Sequence, residues 1–168
     1  MKLRGLVDYD ICNYRSPSMF LIFPYCSFKC DKEFGTTICQ NSDLVSEPII
    51  EVNTRDIIAR YLNNPLSHAL VCGGLEPMDS FDELNDLISS FRQVSKDTII
   101  IYTGYKEEEI QNYISVLKKY DNLIIKFGRY DPNNKSKYDT NLGKILSSRN
   151  QYSKMYLNGK EIDSRCFN

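Results

Sequence analysis

Four short apolar runs set the architecture open to this chain: Met19–Pro24 (MFLIFP), His68–Cys72 (HALVC), Asp97–Tyr102 (DTIIIY) and Asn122–Phe127 (NLIIKF). Each has the length and β-branched or aromatic content of a buried strand, and the first three are each followed by a segment with helical spacing. Asn53 caps a predicted helix to about Leu62, with Ile57, Ile58, Tyr61 and Leu62 on one face. Ser80 and Glu83 have capping-box spacing, ahead of Phe81, Leu84, Leu87, Ile88 and Phe91 at helical intervals. The segment KEEEIQNYISVLKK, after Thr103-Gly104-Tyr105, begins acidic and ends basic, as the helix dipole favours. Gly128 ends the fourth run, Asp131–Lys137 reads as an exposed loop, and Met155–Leu157 before Asn158-Gly159 reads as a short terminal hairpin. Alternating strands and helices predict right-handed crossovers and a mostly parallel sheet, with ligands at the carboxyl ends of the strands. About four units are too few for a closed eight-stranded barrel, so the expected fold is α/β with a small, partial, open parallel barrel.

The chain has 168 residues, 42% hydrophobic and 26% charged, which excludes a disordered or collagen-like polymer and fits one domain over residues 1–168. No fixed-period repeat, low-complexity tract or linker divides it. Its 21 Lys and Arg nearly cancel 22 Asp and Glu, leaving a net charge of -1. No global field therefore draws it to nucleic acid or to an anionic membrane. No apolar stretch approaches the ~20 residues of a membrane span, and MKLRGLVDYD has neither the apolar core nor the cleavage site of a signal peptide. The expected location is the cytoplasm, where the six cysteines stay reduced.

Three of those cysteines, Cys26, Cys30 and Cys39, crowd into the segment at 25–41, directly after the first strand. Clustered thiols in a reducing compartment point to metal. The spacing Cys-x3-Cys-x8-Cys leaves two chemistries open. Three thiolates can hold an iron-sulfur cube with its fourth iron free for an outside ligand. A closed zinc site instead needs a fourth protein donor, for which Cys12 and His68, the sole histidine, are the candidates. Gly73-Gly74, at the end of the second strand, allows a ligand close to the backbone.

The ordered segments YCSFKCDKEFGTTICQN, GGLEP, IIIYTGY, KFGRYD and SSRNQ resemble the radical S-adenosylmethionine (SAM) activating proteins of the anaerobic ribonucleotide reductase. The resemblance spans most of the chain and favours the cluster over zinc or free thiols. It implies a radical SAM-type partial barrel in which Cys26, Cys30 and Cys39 ligate a 4Fe-4S cluster whose unique iron chelates SAM. Ile38 then takes the bulky position before the last cysteine, and Gly73 and Gly74 meet SAM through their backbone. Glu76 receives its ammonium group and Pro77 shapes the turn. Tyr102, Thr103 and Gly104 fall in the family's Tyr-Thr-Gly-Tyr segment, and Ser148, Asn150 and Gln151 in its late Ser-Asn-Gln segment. The implied activity is reductive cleavage of SAM and generation of a glycyl radical on the partner reductase. An external one-electron donor such as a flavodoxin serves it. Two departures stand out. Eight residues separate the last two cysteines where radical SAM enzymes usually have two, so Asp31–Thr37 must loop away. GGLEP also carries one extra residue before its acid.

The other reading of the same resemblance is a non-catalytic metal-binding or adaptor protein that kept the fold, and a third is a radical SAM reaction on another substrate. The remaining residues read plainly. Cys72 is a small core side chain, Cys12 and Cys166 are unligated, and His68 has no role. Lys118-Lys119 and Lys135-Ser136-Lys137 are solvated charge. The 12 tyrosines and 8 phenylalanines mostly pack the core and its margin, and Tyr25 and Phe28 stand ready to shield a cluster.

Overall fold

All four apolar runs are strands in the computed structural model, which describes residues 1–162. Cys166 lies outside the described residues. In chain order the elements are β1 (Lys2–Leu3), β2 (Gly5–Asp10), β3 (Ser18–Phe23), α1 (Lys29–Phe34), β4 (Ile50–Glu51), α2 (Thr54–Leu62) and β5 (Ala69–Gly74). They continue with α3 (Phe81–Arg92), β6 (Thr98–Tyr102), α4 (Gln111–Leu117), β7 (Leu123–Phe127), β8 (Lys137–Asp139), β9 (Lys144–Leu146), β10 (Tyr152–Leu157) and β11 (Lys160–Ile162). A seven-stranded sheet has the order β11-β10-β7-β6-β5-β3-β2.

The central strands β3, β5, β6 and β7 are mutually parallel, as the alternation of strands and helices requires. The sheet as a whole is mixed, however, because β2 pairs antiparallel with β3 and the terminal hairpin β10–β11 adds antiparallel to β7. These strands join without the helical crossover that a parallel neighbour needs. The fold class is therefore mixed α/β, and the sheet is open, with β2 and β11 at its edges.

The period of two along each strand separates two apolar layers. Leu21, Leu70, Cys72, Ile99, Ile101, Ile125 and Phe127 face the helices, meeting Ile57 and Tyr61 of α2, Leu87 and Phe91 of α3, and Leu117 of α4. Cys72 is fully buried there, as a core residue. The opposite face carries Val71, Ile100 and Ile124 beneath Leu142 and Leu146, with no helix residue in that cluster. There the β8–β9 hairpin and the loop after β2 cover the sheet. Arg15 donates to the carbonyls of Thr140 and Asn141, and Lys144 Nζ donates to Ile11 O at 2.7 Å.

Local details refine the sequence reading. Asn53 caps α2 by accepting from Arg55 N at 2.9 Å, and Ile57, Ile58 and Tyr61 are buried while Leu62 is exposed. The Ser80–Glu83 capping box does not form. A 3₁₀ turn over Pro77–Ser80 runs directly into α3, Ser80 Oγ is buried without a partner, and Glu83 accepts from Lys2 N instead. The helix expected from Lys106 begins as a 3₁₀ turn at Glu107–Glu109 and becomes α-helical only over α4. Among the described residues, no helix is long and apolar enough to cross a membrane.

Phe91 is fully buried and meets Tyr61 edge-on, with ring centroids 4.8 Å apart. Phe91→Ala should lower unfolding free energy by about 3–5 kcal/mol, read as a lower urea midpoint. A loss below about 1 kcal/mol would mean that α3 does not anchor this layer.

Candidate metal centre

The chain leaves β3 at Phe23 and turns at once into the cysteine segment. Ser27 N donates to Asp79 Oδ2 at 2.6 Å, and Tyr105 Oη donates to the other oxygen of Asp79 at 2.6 Å. Phe28 then adopts φ 50°, ψ 44°, a left-handed conformation that costs a non-glycine residue about 1–2 kcal/mol. It folds the Phe28 N–H back onto Cys26 Sγ at 3.3 Å. Cys30 sits in the first turn of α1, a six-residue helix with no buried residue and no side-chain cap. The expected outward loop over Asp31–Thr37 is thus half helix: α1 runs to Phe34, and only Gly35–Thr37 turns the chain back. Asp31 Oδ1 closes the excursion by accepting from both Ile38 N and Cys39 N at 2.9 Å. This one carboxylate is how the chain accommodates eight residues between the last two cysteines. Beyond Cys39, Asn41 Nδ2 donates to Gly74 O at 2.8 Å and pins the segment to the end of β5.

Cys26, Cys30 and Cys39 all line one cavity of about 520 Å³ on the inner face of the sheet, together with Gly74, Glu76, Thr103 and Gly104. Tyr102 and Gln151 also reach it. Gly73, Ile38 and Pro77 do not line it. Gly73 is covered by the Phe20 ring, which a Cβ would meet at 3.1 Å, and the Ile38 N–H serves Asp31. Pro77 is buried at the start of the 3₁₀ turn that Glu76 caps. Ser148 and Asn150 stand behind the wall. Ser148 Oγ accepts from Asp131 N, and Asn150 Nδ2 donates to Arg129 O at 2.8 Å, so the SSRNQ segment holds the backbone of KFGRYD in place. Gly74 needs its lack of a side chain, since at φ +83° a Cβ would lie 2.5 Å from Ile22 Cγ2. A Cβ on Gly104 would lie 3.6 Å from Cys30 Sγ and 3.5 Å from Glu76 Oε2, so glycine leaves space open between sulfur and carboxylate.

Burial shapes the charges of this wall. It pushes the Cys26 thiol up to about 12, against the opposing pull of the Phe28 N–H, and raises Cys30 and Cys39 as well. The Tyr130 N–H favours the Cys30 thiolate and the Asn41 N–H that of Cys39, each partly offsetting desolvation. Glu76 is 5% exposed, and burial lifts its carboxyl to about 7 although it accepts from Gly104 N at 2.8 Å and Met78 N at 3.1 Å. Lys126, on β7, is 7% exposed and lowered by burial to about 8, with Glu76 and Cys30 opposing that shift. Its ammonium donates to Gly128 O at 2.9 Å.

This donor set fits an iron-sulfur cluster. Three half-buried thiols that keep their protons unaided need a polycationic centre to become thiolates, and each has a backbone N–H placed to favour the anion. Of the two candidate fourth donors for zinc, only Cys12 reaches this cavity, from the loop after β2 with its N–H on Asp10 Oδ1 at 3.1 Å, while His68 is exposed where β5 begins, at the far end from Gly74. Among the described residues, no three His, Cys, Asp or Glu side chains gather closely enough for one ion. The family described as 4Fe-4S single cluster domain matches residues 16–153. This chain belongs to that family. The 4Fe-4S single cluster domain is found in radical SAM-like proteins. Neither the curated proteins nor the solved structures compared with the chain gave a match.

For this 4Fe-4S domain, sequence reasoning passed over Lys126 and Asp31. Lys126 had a visible signal, a lone charge inside the otherwise apolar run LIIKF, all five residues of which are buried. Asp31 had none, because nothing local shows that its oxygen meets amides seven and eight residues on.

Two outcomes follow for the cluster-free and reconstituted protein. Asp31→Ala should leave the unfolding free energy within about 1 kcal/mol of wild type yet cut iron bound per chain severalfold on anaerobic reconstitution, while Asp31→Asn, which keeps an oxygen acceptor, retains most of it. Unchanged iron in Asp31→Ala would show that this carboxylate does not set the geometry of the cysteines. Glu76 keeps its proton to about pH 7 when folded, against 4.5 as its ordinary value. Between those limits the native state binds the extra proton, so its contribution to stability is full below 4.5 and falls as pH rises through about 7, by at most about 1.4 kcal/mol per pH unit. Glu76→Gln should flatten that part of a stability–pH curve, and an identical slope in the variant would show the carboxyl to be solvated.

Proposed function

We propose that this 4Fe-4S protein is a radical SAM activase that generates a glycyl radical on an anaerobic ribonucleotide reductase. One observation carries the reading: three cysteines on a short strand-end segment open into the same cavity as the Gly74–Glu76 strand end and Thr103-Gly104. Its volume falls in the range of small-molecule sites. Three cysteine ligands leave one iron for an outside ligand. When bound, the cluster supplies the electron that cleaves SAM into methionine and the species that takes a hydrogen atom from a glycine of the partner.

The protein's own residues bind and orient. Glu76 and Lys126 are a carboxyl and an amine on one cavity wall, matched to the ammonium and carboxylate of an amino acid: Glu76, ionised beside that ammonium, accepts from it and Lys126 donates to the carboxylate. The Gly104 backbone lets the ligand approach Cys30 and Glu76. The hairpin β8–β9 and the loop after β2 close the inner face against water, which strengthens these polar contacts. We read the open sheet, with helices on one face only, as a shortened barrel wall whose mouth is left for a macromolecular substrate. The electron comes from a donor such as a flavodoxin.

The test is an electron paramagnetic resonance spectrum of the reduced, iron-loaded chain with and without SAM, paired with an assay for 5'-deoxyadenosine. A spectral change on adding SAM, lost in Cys26→Ala, Cys30→Ala and Cys39→Ala, is the expected outcome. A glycyl-radical signal on the candidate reductase completes it. Zinc uptake without SAM-dependent 5'-deoxyadenosine would favour the adaptor reading instead.

A further inference from the structure

The motif KFGRYD contains a second buried cation, Arg129, that plays no part in the SAM contacts proposed above. The Arg129 side chain is 6% exposed and carries two carboxylates: Nη2 lies 2.7 Å from Glu109 Oε1, and Nε lies 3.2 Å from Glu33 Oε2. Nε and Nη1 are both buried without a hydrogen-bond partner, so Glu33 is held by charge alone, a costly state for a charged donor with no compensating role. Glu33 belongs to α1, the helix that presents Cys30. That helix buries no residue and is far below the length at which a helix holds itself together in water. Its ties run through charge. Glu33 meets Arg129 and also Lys106 Nζ at 3.2 Å, and Lys29 Nζ meets Glu109 Oε1 at 3.3 Å. The residue after Arg129, Tyr130, turns its N–H towards the Cys30 sulfur. Asn150 Nδ2 in turn fixes the Arg129 carbonyl, the other side of that same peptide group.

We propose that Arg129 is a positioning residue for the metal centre: clamped between Glu33 and Glu109, it seats the Cys30 helix, fixes the Tyr130 N–H on the Cys30 sulfur, and raises the reduction potential of the cluster bound there. Reduction adds one electron to a thiolate-bound centre. A fixed cation and an N–H beside one sulfur favour the more negative state, whereas the two carboxylates oppose it and are held in check by the guanidinium. The inference rests on Cys30 as a cluster ligand, and it is independent of SAM, of the electron donor and of any partner.

The experiment is a redox titration, monitored by electron paramagnetic resonance, of full-length protein reconstituted with iron and sulfide without SAM, with iron per chain measured on each sample. Arg129→Gln should shift the balance towards the oxidised cluster at least tenfold at a fixed ambient potential, or about 59 mV for a one-electron couple. Arg129→Lys, which keeps the charge, should recover most of that shift. Glu33→Gln removes one carboxylate from a half-exposed position and should move the potential the opposite way, so the sign is tested even if Arg129→Gln fails to fold. A fully loaded Arg129→Gln or Glu33→Gln with the wild-type potential overturns this inference and leaves the activase reading standing. Wild-type protein that takes up no cluster overturns both. A shifted potential without SAM-dependent 5'-deoxyadenosine supports this inference and removes the activase reading.

Discussion

Parallel pairing of β3, β5, β6 and β7 is the constraint on which the site depends. The register sets Phe23 beside Gly74, Cys72 beside Ile101, and Tyr102 beside Lys126, so four strands finish at one edge of the sheet. Each chain segment that leaves that edge contributes to one cavity: the cysteines after β3, Leu75 and Glu76 after β5, Thr103 and Gly104 after β6, Gly128 and Tyr130 after β7. No two of these segments are neighbours in sequence. Backbone hydrogen bonding between strands, sustained by apolar layers on both faces, brings them together.

The cost of this arrangement lies in its buried charge. Glu76 and Lys126 sit where an apolar pair would stabilise the fold more cheaply, and each is held away from its ordinary ionisation by desolvation. Both face the cavity, and both are anchored, Glu76 by two backbone N–H groups and Lys126 through the Gly128 carbonyl. Groups kept in so unfavourable a state at the wall of a cavity mark a binding site more often than a structural accident. Around the cysteines the logic differs. There the local backbone is strained at Phe28, α1 lacks an apolar anchor, and carboxylates and cations hold the segment in place: Asp31 from within the loop, Arg129 from β7's exit. A cysteine segment tied by ionic and hydrogen-bonded contacts depends on them for its geometry, since no apolar packing fixes α1.

Much of this was legible before the fold was known. Strands β3, β5, β6 and β7, helix α2 with its Asn53 cap, the apolar face of α3, the terminal hairpin and the shared edge of the site all follow from apolar periodicity and turn residues. The antiparallel edge strand β2 was not legible. Its residues, GLVDYD, alternate without a strongly apolar face, and Val7 is 40% exposed. The hairpin β8–β9 escaped for a similar reason: its strands have three residues each, with Tyr138 and Ile145 outward. The Ser80–Glu83 spacing misled, because a cap requires the preceding backbone to be extended and here it is a 3₁₀ turn.

The sequence by itself determined the α/β class, the order of the parallel strands' contributions and the three cysteines as the chemical focus, since periodicity and residue type are local properties. Tertiary structure decided which candidates face the cavity: Gly74, Glu76, Thr103 and Gly104 line it, while Gly73, Ile38 and Pro77 turn elsewhere. It also decided that Lys126, Asp31 and Arg129 matter. Burial and polar contacts between residues 7 to 96 apart, from the Ile38 N–H on Asp31 to Arg129 on Glu33, arise only once the sheet has assembled.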